Sequence, residues 1–149
     1  MITYRVAMAL DLPTFVSLDK QLFPYSPWSQ AQYTEEFENS TRHFVAALDE
    51  GLSIVGYAGV FLPSAGVAAD ILTVGVTAEH RRAGIARKLM ALITDWAVAH
   101  GASAMILEVK TDNGEAISLY ESLGYEKLNV RRNYFGTGLD ALVMRKDLP

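Results

Sequence analysis

A chain of 149 residues, half of them hydrophobic, can bury one sizeable core and hardly two, so a single domain spanning residues 1–149 is expected. Thirteen Lys and Arg against seventeen Asp and Glu leave a net charge of −4, which argues against a nucleic-acid partner, and the absence of cysteine removes disulfides, thiolate metal sites and a cysteine nucleophile together. The start MITYRVAMALDLP lacks the pattern of a signal peptide and no run reaches the roughly 18 apolar residues that span a bilayer, so a soluble, cytoplasmic protein with no membrane partner is expected.

In chain order, Ile2 to Val6 reads as a short edge strand, and Asp11-Leu-Pro13 as the start of a helix running to about Phe23, with proline in its first turn. FPYSPWS, Phe23 to Ser29, holds two prolines that disfavour helix before them. Ser29 with Gln32 then forms the pattern of a capping box for a second helix toward Glu38. His43 to Leu48 and Ser53 to Leu62 flank the turn signal Asp49-Glu50-Gly51 and predict a hairpin. Val67 to Val76 is a third strand, antiparallel to the second across Pro63 to Gly66.

The period then changes. Ile85, Leu89, Leu92, Ile93 and Trp96 share one helical face, and the helix ends near Gly101. Ala104 to Val109 is strand; Asn113 caps a helix carrying Ala116, Leu119, Tyr120 and Leu123 on one side, with Gly124 ending it. Strands at Tyr125 to Tyr134 and Leu139 to Lys146 close the chain. This order predicts a mixed α/β sheet with helices on both faces.

Two stretches carry chemistry. In VGVTAEHRRAGIARKL, Gly84 and Ala86 stand at the start of a helix, with Arg81, Arg82, Arg87 and Lys88 around them. Unpaired N–H groups, a positive dipole end and small residues there can cradle a diphosphate. The alternative is a basic, solvated helix N-terminus with Gly84 as a turn residue. Gly75, inside an apolar strand, points to a bulge or a close backbone approach, and to a strand that opens to admit a ligand. The second stretch is ILEVKTDN, in which one carboxylate, Glu108, interrupts the apolar run from Ala104 to Val109.

R-R-A-G-I-A, Arg81 to Ala86, matches the Arg/Gln-x-x-Gly-x-Gly/Ala signature of the GNAT superfamily of N-acetyltransferases. LEVKTDNGEAISLYESLGYEKLNVRRNY, Leu107 to Tyr134, closely resembles the RimI-type N-terminal acetyltransferases, and FPYSPWS is similar to that family's loop between its first two helices. Ala86 replaces a second glycine, which the signature allows; Gly75 and Thr77-Ala78 stand where the family usually has a larger residue and Asp-Pro.

The resemblance implies a GNAT fold: a central mixed, mostly antiparallel sheet of about seven strands flanked by about four helices. It implies acetyl-CoA as co-substrate without a metal, and the α-amine of a protein N-terminus, a ribosomal protein's above all, as acceptor. It carries the general base to Glu108, whose apolar neighbours would independently raise its pKa. The alternative for Glu108 is a solvent-facing strand residue or an ion pair with Lys110. The general acid falls on Tyr120, whose alternative is core packing.

The cofactor-binding residues it implies are the backbone of Val74 and Val76 along the pantetheine arm, the cradle of Arg81, Arg82, Ala83, Gly84, Ile85 and Ala86, and Asn113 near the arm. Phe23, Pro24, Trp28 and Tyr134 match the wall of the acceptor groove, or else pack as a lid on the core. The scattered His43, His80 and His100 have no metal-ligand spacing. Two rivals remain: acetylation of a lysine or small amine, and a non-catalytic acyl-CoA-binding module.

Overall fold

The structure is a computed structural model and describes residues 1–149. Its strands are β1 (Thr3–Val6), β2 (Arg42–Leu48), β3 (Ile54–Phe61), β4 (Ala68–Val76), β5 (Ala104–Lys110), β6 (Glu126–Arg131) and β7 (Ala141–Asp147). The helices are α1 (Leu12–Leu22), α2 (Gln30–Phe37), α3 (Ile85–Ala99) and α4 (Gly114–Ser122). Local chemistry sets these bounds. Pro13 lies in the first turn of α1, and the Ser29–Gln32 capping box closes in both directions: Gln32 N–H donates to Ser29 Oγ at 3.1 Å and Ser29 N–H to Gln32 Oε1 at 2.8 Å. Asn113 Oδ1 accepts from the Ala116 amide at 3.2 Å, so Gly114 does not undo the cap of α4.

All strands form one sheet, in the order β1-β2-β3-β4-β5-β7-β6. Every neighbouring pair is antiparallel except β4 with β5, joined through α3 as a parallel crossover. This is the mixed, mostly antiparallel seven-stranded sheet that the resemblance implied, with helices on both faces. One face packs Ile85, Leu89, Met90, Ile93 and Ala97 of α3 and Tyr120 of α4 onto the sheet; the other packs Phe15 and Leu18 of α1 with Tyr33, Phe44 and Tyr57.

Two details differ from the expectations. The second-last strand was expected to reach Tyr134 but ends at Arg131, because the chain turns at Asn133, whose φ of 56° is left-handed. The bulge in β4 lies around Leu72, between the pairs Gly59↔Thr73 and Val60↔Ile71, and not at Gly75. Gly75 is instead a close approach: a Cβ there would lie 2.9 Å from the Tyr57 ring and 3.1 Å from Leu22 Cδ1. His43, Trp96 and His100 form an aromatic stack, with ring centroids 5.2 and 4.4 Å apart, and no group of His, Asp and Glu side chains gathers as metal ligands.

Candidate active site

The site begins where β4 and β5 part. They pair only from Ala68–Asp70 to Ala104–Ile106, and beyond that point a cleft of about 640 Å³ opens between them. Thr77 N–H donates to Val55 C=O of the β3 side at 2.9 Å. Backbone groups alternate along a strand, so the amides of Gly75 and Thr73 also face β3, while the N–H and C=O of Val74 and Val76 face the cleft. The Val76 carbonyl accepts there from Arg81 Nε at 3.4 Å.

The cleft ends at the N-terminus of α3. Arg82 (φ 62°) and Gly84 (φ 78°) both take left-handed backbone, which turns the chain sharply into the helix. A Cβ on Gly84 would meet nothing within 4 Å, so glycine is needed here for conformation rather than for space. No side chain caps α3, and its first intrahelical bond runs from Lys88 N–H to Gly84 C=O at 3.1 Å. The amides of Ile85, Ala86 and Arg87 therefore have no acceptor within the helix. They meet the cleft beside His80, Arg81 and Arg82, an arrangement of donors and positive charge suited to a polyphosphate.

A second cleft of about 370 Å³ adjoins the first, sharing Phe23, Tyr25, Val74, Lys110, Asn113, Ala116 and Tyr120 as common walls. Glu108 enters it from β5. Ile106, Glu108 and Lys110 share one half-exposed face of that strand, while Met105, Leu107 and Val109 are buried in the core. The Glu108 side chain is 20% exposed, and Arg131 Nη1 stands 3.7 Å from its Oε1. Burial raises the Glu108 carboxyl above the usual carboxylate range; nearby Asp70 adds to the rise and Arg131 opposes it. The guanidinium of Arg131 also stacks 4.4 Å from the Tyr134 ring, which walls the same cleft. Lys110, the partner considered from the sequence, pairs instead with Asp112 at 3.6 Å and lies over Tyr25 at 4.5 Å.

Tyr120 is buried in the wall between the two clefts, 8% exposed. Its ring packs against Tyr125 at 6.0 Å, and burial pushes its hydroxyl up to about 12, with Tyr25 adding to the rise. Among the walls of the second cleft lies Asp19, 2% exposed. Its carboxylate accepts from the Trp28 amide at 3.0 Å, from Tyr33 Oη at 2.8 Å and from Tyr57 Oη. One buried group thus ties α1 to the loop carrying Trp28, to α2 and to β3. Desolvation raises its pKa despite these three donors.

The Acetyltransferase (GNAT) family matches residues 12–125. The chain is 32% identical over 150 residues to the N-alpha-acetyltransferase RimI of Mycobacterium tuberculosis, covering 98% of this chain and 92% of that protein. It is 27% identical over 137 residues to the ribosomal protein bS18 alanine N-acetyltransferase of Escherichia coli, covering 90% and 89% of the two chains. The crystal structure of the Escherichia coli ribosomal-protein-S18-alanine N-acetyltransferase matches with a TM-score of 0.85 at 25% identity, over 99% of this chain and 94% of that one.

The chain belongs to the GNAT acetyltransferase family. It is an N-acetyltransferase, and the GNAT reading orders the expected residues within its two clefts. Val74, Val76, Arg81, Arg82, Gly84, Ile85, Ala86, Asn113 and Tyr120 line the first cleft; Phe23, Trp28, Val74, Glu108, Asn113, Tyr120 and Tyr134 line the second. Ala83 and Pro24, both expected there, line neither, and Pro24 is exposed. Asn113 reaches the walls while its side-chain oxygen is engaged in capping α4. Sequence reasoning missed Asp19, Asp70 and Phe135. Asp70 offered a signal, since it is a lone carboxylate in an apolar strand just as Glu108 is. Asp19 offered none, because its partners lie 9, 14 and 38 residues away.

Proposed function

We propose that this protein transfers the acetyl group of acetyl-CoA to the α-amine of a protein N-terminus, a ribosomal protein's being the first candidate. The observation that carries this reading is the meeting of a polyphosphate cradle and a carboxylate-bearing cleft at Tyr120 and Val74. The names of the relatives support the acceptor: the similar Escherichia coli enzyme is a ribosomal-protein alanine N-acetyltransferase.

The donor groups of the first cleft fit acetyl-CoA. Unpaired amides at the α3 start with Arg81 and Arg82 suit its pyrophosphate, and the backbone groups of Val74 and Val76 that face the cleft suit the amides of its pantetheine arm. Bound there, acetyl-CoA supplies a thioester carbonyl to the junction of the clefts. Glu108 takes one proton of the acceptor ammonium, and the freed nitrogen lone pair forms the new N–C bond. As the C–S bond breaks, the nitrogen sheds its second proton to give the neutral amide, and the sulfur leaves as the thiolate and takes up a proton as the CoA thiol. Tyr120 donates its O–H as a hydrogen bond to the departing sulfur. Phe23, Trp28 and Tyr134 hold the first residues of the acceptor and exclude water.

The raised pKa of Glu108 matches this task. An α-ammonium titrates at about 7.7–8.0 against about 10.4 for lysine, so its proton is easier to remove by roughly 3.5 kcal/mol. The test uses two peptides with acetyl-CoA, one with a free N-terminus and no lysine, the other N-terminally blocked with one lysine. Acetylation of the first alone is expected. Modification of the lysine alone overturns the acceptor assignment, and no product with CoA binding intact points to a small amine or a binding module. Glu108→Gln should keep acetyl-CoA binding and lose turnover by roughly 10²–10⁴-fold; turnover at the parent rate removes Glu108 from the base role.

A further inference from the structure

Seven acidic residues of this chain are not exposed: Asp11, Asp19, Glu36, Asp49, Asp70, Glu108 and Asp140. Six of them are answered by a partner. Arg5 pairs with Asp11, two tyrosines and an amide with Asp19, Arg42 with Glu36, the Ser53 amide with Asp49, Arg131 with Glu108 and the Asn133 amide with Asp140. Asp70 has no hydrogen bond and no ion pair, and burial alone raises its carboxyl. A half-buried carboxylate without a donor costs free energy unless something outside the chain completes it.

Its position says what that is. Asp70 is the last residue of β4 paired to β5, opposite Ile106, so it shares the sheet face of Ile106 and Glu108 and lines the acceptor cleft with Glu108. Strand spacings of about 4.8 Å across and about 6.6 Å for two residues along put the two α-carbons roughly 8 Å apart. An ammonium fits between such carboxylates. The cations already there are committed, Arg131 to Glu108 and Tyr134, and Lys110 to Asp112 and Tyr25.

We propose that Asp70 is the acceptor-binding carboxylate of this enzyme: it holds the α-ammonium as an ion pair and presents it to Glu108. The proposal rests on the functional reading above. The acceptor enters charged, one N–H proton passes to the Glu108 carboxylate, and the ammonium becomes the free amine that attacks. Asp70 keeps its charge throughout and stabilises the cation only until that transfer. A neutral residue in its place would leave acceptor capture to the aromatic walls.

The test is steady-state kinetics of Asp70→Asn, which is nearly isosteric, and of Asp70→Thr, a β-favouring second choice should the first fold poorly. With whichever peptide the parent acetylates, KM for the peptide should rise about ten- to a hundred-fold. KM for acetyl-CoA should not change. The groups facing Glu108 are Asp70 on β4, Arg131 on β6 and Tyr134 after it, with Tyr120, Lys110, Tyr25 and Asp19 around the same cleft. Removing the negative charge of Asp70 should therefore shift the acid limb of kcat/KM, set by Glu108, to lower pH, whereas Arg131→Gln should shift it to higher pH. A purely structural Asp70 would change melting temperature alone, and unaltered peptide KM and acid limb in a folded variant overturn the proposal. If the parent acetylates neither peptide, the N-terminal reading fails first and takes this proposal with it. If it acetylates only the lysine peptide, the N-terminal reading fails but Asp70 stands or falls on the same two measurements.

Discussion

Replacing Tyr120 with phenylalanine separates two roles that one hydroxyl can play. Burial pushes the Tyr120 hydroxyl up to about 12, whereas a thiol titrates near 8.5, so complete proton transfer from Tyr120 to a free thiolate is uphill by about 3.5 units, or ~5 kcal/mol. Donating a hydrogen bond to the developing negative charge carries no such penalty and is worth about 1.5–3 kcal/mol. Tyr120→Phe should thus lower kcat about ten- to 150-fold. The ring stays packed against Tyr125, and the hydroxyl has no protein partner to lose, so the melting temperature should hold. The assay is initial rate by thiol release at saturating peptide and acetyl-CoA, from pH 6 to 10. A fall of about 10⁴-fold or more, or an alkaline limb below pH 10 that vanishes in the phenylalanine variant, would refute the hydrogen-bond role.

Other outcomes follow from the same geometry. Gly75→Ala places a Cβ 2.9 Å from a Tyr57 ring that is held by Asp19 and stacked on Phe15 at 4.9 Å, so the ring has little room to yield. About 1–3 kcal/mol of stability should be lost, with 2 kcal/mol appearing as a melting temperature roughly 4–8 °C lower, and KM for acetyl-CoA should rise as β4 shifts. Unchanged melting would show that the ring adapts. Asp11 accepts from Arg5 Nη1 at 2.7 Å, Arg5 Nη2 at 2.9 Å and the Met8 amide at 2.7 Å, and the Arg5 hydrogen bonds hold its carboxyl below the usual range. A depressed folded pKa gives stability that is fully present above the unfolded value near 4 and lost as pH falls through the folded value. Asp11→Asn should cost about 1–2 kcal/mol at pH 7, and the gap between the two melting curves should close as pH falls through the depressed folded value; a gap that stays constant would sink the assignment.

Local structure and the helix start at Gly84 were legible in the chain itself. Pro13, the Ser29–Gln32 box, Asn113 and Gly84 act within a turn of their own position, and the 3.6-residue stripe from Ile85 to Trp96 needs only one apolar face to bury. The signature from Arg81 to Ala86 was readable because a helix start displays its own unpaired amides. Glu108 stood out because a carboxylate in an apolar strand demands a reason. The same signal at Asp70 went unread, since nothing in one strand's sequence tells that it ends its pairing there.

What the tertiary structure decided is which distant groups meet. The final strand β7 inserts between β5 and β6, and that order brings Arg131 of β6 within 3.7 Å of Glu108, displacing Lys110 as its partner. The early parting of β4 from β5 turns two ordinary strands into a cleft lined by backbone groups of β4 that no strand pairs. Asp19 gathers donors from Trp28, Tyr33 and Tyr57 because three elements pack around it. Helix starts, caps and periodicity arise from forces acting over a few residues, so sequence alone determined them. Charge pairs, burial and the meeting of two clefts depend on contacts between residues far apart in the chain, and only the folded packing fixes those distances.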